Sequence, residues 1–276
     1  MAVKFLPEDH KYVSIDPNEN IHWVSVTSVI SKLKQPFEAD KIAEKSSKNR
    51  RSKWFGMTKD QILLVWKSES DRAISVGNWY HNQREEDILG IDNIERHGKT
   101  IPIMKPVADS DGTKIAPDQR LIDGMYPEHF VYMKSLGMCG QSDLVEIVDG
   151  IVHITDYKTN KEIRSESYKG WEGLSQKMNH PVSHLDDCNL NHYNIQLSIY
   201  MYMILKHNPK LKPGTLMIQH ILFEDEGKDP NGYPILKTDT YGEPIIKDIV
   251  HYDLPYLKDE VLSLVKWFQD NKAKFK

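Results

Sequence analysis

The chain has 276 residues, 39% of them hydrophobic and 28% charged, with a formal net charge of −4. That composition suits a globular protein with one substantial core. It excludes a general electrostatic attraction to nucleic acid, so any DNA binding would need local patches. Only two cysteines occur, Cys139 and Cys188, neither in a CxxC pair, which excludes a disulfide framework, a cysteine zinc site or an iron-sulfur cluster. No run approaches the roughly 18 apolar residues of a membrane span, and no signal-peptide core opens the sequence. A cytoplasmic protein with no membrane partner is expected.

Short β segments are expected at Val3 to Leu6, Tyr12 to Ile15 and Trp23 to Val26, followed by a helix capped at Thr27 or Ser28. Helical patterns dominate from Glu38 to Leu89, around the basic run KSSKNRRSKWF, Lys45 to Phe55. That run reads either as a solvated helix end anchored by Trp54, or as a phosphate-tracking patch of Arg50, Arg51 and Lys53 with Trp54 as a stacking ring. In the helix Asp71 to Leu89, Gly77, His81 and Glu85 fall on one stripe. A mid-helix glycine costs about 1 kcal/mol relative to alanine, so Gly77 implies a close backbone approach. From this stretch alone His81 can be a structural residue or a ligand.

Residues 90–127 read as a loop-rich connection with a short helix near Asp118 to Asp123. Three strands follow, near His129 to Lys134, Met138 to Val148 and Ile151 to Thr159. After a polar, irregular stretch to Asn191, an apolar helix runs from Tyr193 to before Pro209, then a strand from Thr215 to Phe223. A hairpin insertion is expected up to about Ile249, with GYPILK at Gly232 and GEPIIK at Gly242 as its arms. An amphipathic helix, Tyr256 to Phe275, closes the chain with Leu257, Val261, Leu264, Val265 and Phe268 on one face. The order of elements is that of an α+β protein.

The most informative stretch is GQSDLVEIVDGIVHITDYKTN, Gly140 to Asn160. Asp149-Gly150 is a strong two-residue turn signal, because type I′ geometry needs positive φ at both central positions. Counting outward, Ile147 faces Val152 and Val145 faces Ile154; further out, Asp143 would face Asp156 and Gln141 would face Lys158. All eight share one face by period-two alternation. Directly opposed residues have Cβ atoms about 4.5–5.5 Å apart, and like charges there are destabilising. A divalent cation resolves the conflict, since Mg²⁺ binds carboxylate oxygens at about 2.0–2.1 Å. Alternatively the hairpin opens to solvent here and Lys158 neutralises one aspartate.

A metal held by carboxylates polarises a phosphoryl oxygen and activates water, and Lys158 can offset charge on the phosphate. No Ser/His/Asp arrangement, P-loop or dinucleotide glycine motif competes. The implied chemistry is metal-assisted phosphodiester hydrolysis.

Asp143 followed by Asp156-Tyr157-Lys158 resembles the D…(D/E)xK core of the PD-(D/E)xK nuclease superfamily. GQSD with ITDYKT is similar to its RecB-like exonuclease branch, as are the upstream Gly77…His81…Glu85 and the downstream Gln196…Tyr200. The resemblance implies a restriction-endonuclease-like core, a central mixed sheet with three antiparallel strands and flanking helices. One domain is expected, with an N-terminal elaboration over 1–70, the core over 71–223, the insertion over 224–250 and a C-terminal helix over 251–276. It implies Mg²⁺ or Mn²⁺ held by His81, Asp143, Asp156 and the Tyr157 carbonyl, with Lys158 as the catalytic lysine. Gln141, Glu85, Glu128, Gln196 and Tyr200 would support the site or contact DNA. The branch's four-cysteine cluster cannot form here, so the chain is more similar to the cluster-free phage and mitochondrial single-strand DNA exonucleases.

The expected function is therefore a metal-dependent DNA exonuclease preferring single strands or free ends, in DNA processing, recombination or repair. Two alternatives stand beside it: an endonuclease of the same superfamily, and a catalytically silent DNA-binding or partner-binding domain on a nuclease fold.

Overall fold

The computed structural model describes residues 3–6, 11–110, 112–169 and 172–275. The N-terminal region holds β1 (Val3–Leu6), β2 (Lys11–Ser14), β3 (Val24–Ser25), α1 (Val26–Leu33), α2 (Ala39–Lys48) and α3 (Lys59–Leu89). Four short strands follow: β4 (Asn93–Arg96), β5 (Lys99–Pro102), β6 (Val107–Ala108) and β7 (Lys114–Ile115). The central strands are β8 (Gly124–Met133), β9 (Met138–Val148) and β10 (Ile151–Lys158), and α4 (Asn189–His207) leads into β11 (Lys212–Phe223). The chain ends with β12 (Asp225–Lys228), β13 (Pro234–Leu236), β14 (Ile246–Leu254) and α5 (Lys258–Asn271). The α+β class expected from the sequence is what the chain adopts.

The main sheet is mixed and runs β14, β11, β10, β9, with β8 antiparallel along the far edge of β9. β10 and β11 are parallel, from Ile151↔Lys212 to Lys158↔His220, with a register shift between Val152 and Ile154. Parallel neighbours need a crossover connection, and α4 supplies it. The edge of β9 opposite β8 is shared: β10 pairs with Leu144–Val148, and β3 pairs in parallel with Met138 and Cys139. Between those two partners lies a notch in the sheet, at residues 140–143.

Helices cover both faces. α1, α4 and α5 bury Val29, Leu197, Ile204, Leu264 and Phe268 against Val145, Ile147, Val152 and Ile154. α3 lies on the other face, where Tyr80 packs with Tyr157 and Ile221. Its start is fixed by a reciprocal capping box, Thr58 with Gln61, which satisfies two orphan amide donors. The small sheet β2-β1-β7-β6 is hydrogen-bonded separately from the main sheet and packs on it through Val3, Tyr12, Phe130 and Cys139.

Several boundaries differ from the sequence reading. The cap of α1 is Ser25, whose hydroxyl accepts the Ser28 amide, rather than Thr27 or Ser28. No helix forms at 118–123, because side chains hold that segment in an irregular course: Asn208 accepts the Leu121 amide and donates to the Gln119 carbonyl, and Gln119 donates to the Phe130 carbonyl. β8 starts at Gly124, α4 at Asn189 and β11 at Lys212, each earlier than periodicity indicated. The two similar hexapeptides are not the two arms of one hairpin: Pro234–Leu236 pairs with β12, and they meet only through the Ile245 amide on the Lys237 carbonyl and the antiparallel Thr238↔Pro244 bridge. Ile246–Leu254, however, joins the main sheet beside β11. Among the described residues no helix is long and apolar enough to cross a membrane.

Candidate metal centre

The turn between β9 and β10 forms at Asp149-Gly150, with φ of 55° and 70°, the left-handed pair that a type I′ turn requires. The Asp123 carboxylate accepts both turn amides, at 3.0 and 3.1 Å. The register follows the count from the sequence through Val152↔Ile147, Ile154↔Val145 and Thr155↔Leu144.

Beyond Leu144 the two strands part. Asp143 does not pair with Asp156 across the ladder; its Oδ2 accepts the Tyr157 amide at 2.7 Å, so a side chain replaces the backbone partner. The alternation of β9 also changes phase there. Val145 and Ile147 enter the main core, yet so does Met138, and Gly140 faces Tyr200 of α4. β8 changes phase at the matching point, since Tyr126 and Val131 both lie in the main core and the pairing passes from Pro127↔Leu144 to His129↔Ser142. The residue between is Glu128, held at φ 47°, a left-handed conformation that costs a non-glycine residue about 1–3 kcal/mol. The double phase change lets Glu128 and Asp143, from adjacent strands, both reach toward α3.

His81 of α3 meets them. Its Nδ1 lies 3.5 Å from Asp143 Oδ1 and 3.7 Å from Glu128 Oε1. One donor atom from each of His81, Glu128 and Asp143 falls within 4.8 Å of the others. Burial works against a charged imidazole, but Glu128 and Asp143 outweigh it and raise the His81 pKa to about 9. Burial, with Glu128 adding to it, raises Asp143 above the ordinary carboxylate range, against the pull of His81 and Lys158. One imidazole and two carboxylates make a donor set suited to a divalent ion with hard-ligand preference, its remaining positions taken by water or phosphate. Among the residues expected as ligands, His81 and Asp143 are brought together, and Glu128, read only as support, joins them.

Asp156 is not within that cluster. It is fully enclosed on the α4 side, where it forms an ion pair with Lys158. Burial raises its pKa to about 6, with Lys158 opposing and Asp143 adding to the rise. Lys158, despite burial, is pushed above its usual value by Asp156 and Asp143. Its Nζ lies 4.9 Å over the Tyr193 ring and 3.4 Å from the Tyr157 carbonyl. Tyr193 was missed from the sequence, although it stands one turn before Gln196 on the stripe that leads to Tyr200. The Tyr157 ring points the other way, edge-on to Tyr80 and His81.

Gln196 Nε2 donates to the Tyr200 hydroxyl at 3.1 Å, and Tyr200 is buried against Gly140. Gly77 does not give the close backbone approach its position implied: the one atom a Cβ there would meet is the side-chain Oγ1 of Thr159, just past the end of β10, at an ordinary contact distance of 3.4 Å. Gln141 does not face Lys158: it pairs with Phe130, donates to the Glu128 carbonyl at 3.2 Å and lines the cleft beside His81. The phase change at Asp143 carries it to that side. Glu85 lines the same cleft, of about 760 Å³, but is engaged by Lys114 of β7 at 2.5 and 2.6 Å.

The basic run divides. Trp54 is 7% exposed and packs with Ala43, Ile62, Trp66 and Tyr233, so it is core and not a free stacking platform. Lys53 donates to the Asn231 carbonyl at 2.7 Å and sits over the Trp54 and Tyr233 rings. Arg50, Arg51 and Lys53 are all exposed around the turn after α2, but Lys53 is engaged by the Asn231 carbonyl.

No protein-family model matches this chain, and no curated protein sequence matches it either.

Proposed function

We propose that the protein is a metal-dependent nuclease that hydrolyses DNA phosphodiester bonds, built on a restriction-endonuclease-like core. The carrying observation is the position of Asp143. It lies 3.5 Å from His81 in the metal cluster and accepts the amide that follows Asp156 and precedes Lys158. A divalent ion bound by His81, Glu128 and Asp143 would supply Lewis acidity to a phosphoryl oxygen and lower the pKa of a bound water. Lys158, kept charged by its two acidic neighbours, would offset charge building on the phosphate. Asp156 holds that lysine in place and in the charged state. Glu128 is oriented by its left-handed backbone, and Gln141 braces the Glu128 carbonyl.

Single-stranded DNA or a free end is the proposed substrate, and exonucleolytic action the proposed mode. The Glu85–Lys114 pair bridges the cleft from α3 to β7, which favours a thin strand over a duplex. End-labelled single-stranded DNA with Mn²⁺ or Mg²⁺ tests this: a ladder of products shortened from one end is expected. Prompt cutting of a sealed single-stranded circle would replace the exonuclease with an endonuclease. Retardation of DNA in a gel without cleavage would leave a binding domain.

A further inference from the structure

A cavity of about 760 Å³ lies along β3, the end strand of the main sheet on that edge. Its lining runs from β2 through Ile21–Ser25 to the exposed face of α1 and the 3₁₀ turn Lys272–Phe275. Three of these segments each put a lysine on it: Lys11 opens β2, Lys32 sits in the last turn of α1, and Lys274 lies in the 3₁₀ turn. All three are exposed, and none forms an ion pair with a described residue. Among the described residues of the lining there is no carboxylate to neutralise them, in a chain with 40 acidic residues against 36 lysines and arginines.

Tertiary contacts assemble this cavity. His22 Nε2 donates to the Phe275 carbonyl at 2.6 Å, which fastens the 3₁₀ turn beside β3, and the Phe275 ring packs on Trp267 and Phe268 of α5. Trp23 Nε1 donates to Ser14 Oγ at 2.9 Å and ties β2 to the same wall. Ser28 adds a hydroxyl, whose Oγ accepts from Ser25 Oγ at 2.7 Å and donates to no described residue. Three cations from separate segments and a free hydroxyl proton, with no acid beside them, suit an anion carrying several charges.

The position of the cavity selects the anion. β3 pairs with Met138 and Cys139 of β9, and the notch at residues 140–143 begins where that pairing ends. Four residues of β9 separate Cys139 from Asp143, about 13 Å of extended strand. Tyr12, on the cavity wall, packs 5.7 Å from Phe130 and 4.9 Å from Phe5, and both of those rings line the cleft that holds His81. We infer that this cavity is a second anchoring site for single-stranded DNA, taking phosphates that flank the one at the candidate metal cluster. The inference rests on the nuclease reading for what lies at that cluster. A strand too short to reach from the notch to the lysines loses the contact, so affinity should depend on strand length as well as on salt.

The test is fluorescence anisotropy of the full chain with labelled oligothymidylates of three and of fifteen nucleotides, across a salt series in EDTA, so that binding is read without cleavage. The fifteen-mer should bind the native chain at least about tenfold more tightly than the trimer. The triple variant Lys11→Glu, Lys32→Glu, Lys274→Glu should lose most of that preference, with a slope of log affinity against log salt lower by about 2, or about 0.7 for each phosphate no longer neutralised. Its melting temperature should be retained, because all three side chains are exposed. A matched triple at exposed positions outside the cavity, Lys210→Glu, Lys247→Glu, Lys258→Glu, makes the same change of net charge and should keep the preference. Equal binding of the two lengths, an unchanged slope in the cavity variant, or an equal loss in the matched triple overturns the anchoring site. A length preference lost only in the cavity variant, from a native chain that leaves single-stranded DNA uncut with Mn²⁺, keeps the site and removes the nuclease reading. Cleavage by the native chain with an unchanged slope in the cavity variant does the reverse.

Discussion

Gly140 and Tyr200 occupy complementary space: a Cβ at position 140 would lie 2.7 Å from Tyr200 Cε1 and 2.9 Å from its hydroxyl. The glycine of β9 and the tyrosine of α4 are therefore one packing unit, although sixty residues of chain separate them. Gly140→Ala should destabilise the protein by about 1–3 kcal/mol, the usual penalty for overpacking, because Tyr200 is 2% exposed and has no room to retreat. In a Tyr200→Ala background the added methyl should cost far less, and a double-mutant cycle followed by urea unfolding reads the difference as a coupling energy. Equal costs in both backgrounds would show that the two side chains do not meet.

The three residues of the candidate metal cluster and the two of the buried ion pair should fail in different ways. Asp143→Asn and Glu128→Gln remove carboxylate donors, so each should raise the Mn²⁺ concentration needed for cleavage by more than the ~10–100-fold typical of losing a supporting group. Lys158→Met should leave Mn²⁺ affinity within a few-fold and abolish turnover, because it touches Asp156 and Tyr193 but not the cluster. Mn²⁺ titrations of cleavage and of the melting temperature separate the two classes. Near-native turnover in Lys158→Met would remove the role assigned to the lysine.

Much of this site was legible in the sequence because a hairpin has so few degrees of freedom. Asp149-Gly150 set the turn, the turn set the register, and the register placed Val145, Ile147, Val152 and Ile154 in the core. The count failed at Asp143 for a physical reason. Simple alternation assumes an unbroken pleat, and nothing in Pro127-Glu128-His129 announces a glutamate with positive φ. That single conformation redirects Glu128 into the cluster, sends Gln141 to the cleft wall and ends the pairing that would have set Asp143 opposite Asp156. Trp54 was ambiguous for another reason. Its burial depends on Tyr233, a residue 179 positions away whose approach no local pattern encodes.

The same division makes the basic run testable residue by residue. Arg50→Ala with Arg51→Ala should leave the melting temperature unchanged and weaken single-stranded DNA binding. The slope of log affinity against log salt should fall by about 0.7 for each phosphate that is no longer neutralised. Trp54→Ala should instead cost about 3–5 kcal/mol of stability, as truncation of a buried aromatic does. Lys53→Ala should cost a smaller amount, because the lysine no longer covers the Trp54 and Tyr233 rings. Fluorescence anisotropy across a salt series and thermal melts distinguish the outcomes. An unchanged slope in the double arginine variant would assign the whole run to solvated surface.

Two groups of the site tie metal-free stability to pH in the same direction. His81 has its folded pKa raised from 6.5 to about 9, so its contribution is complete below the unfolded value and is lost as pH rises toward 9. Asp156 has its folded pKa raised from 3.8 to about 6, so the folded state holds a proton the unfolded chain has released, and that contribution is lost between about pH 4 and 6. In EDTA the melting temperature should therefore fall from pH 5 to pH 9, with the upper limb flattened in His81→Asn. Mn²⁺ must displace the His81 proton to bind, so its stabilising shift should be small at pH 5.5 and large at pH 8.5. A Mn²⁺ shift that is constant across that range would mean His81 is not a ligand.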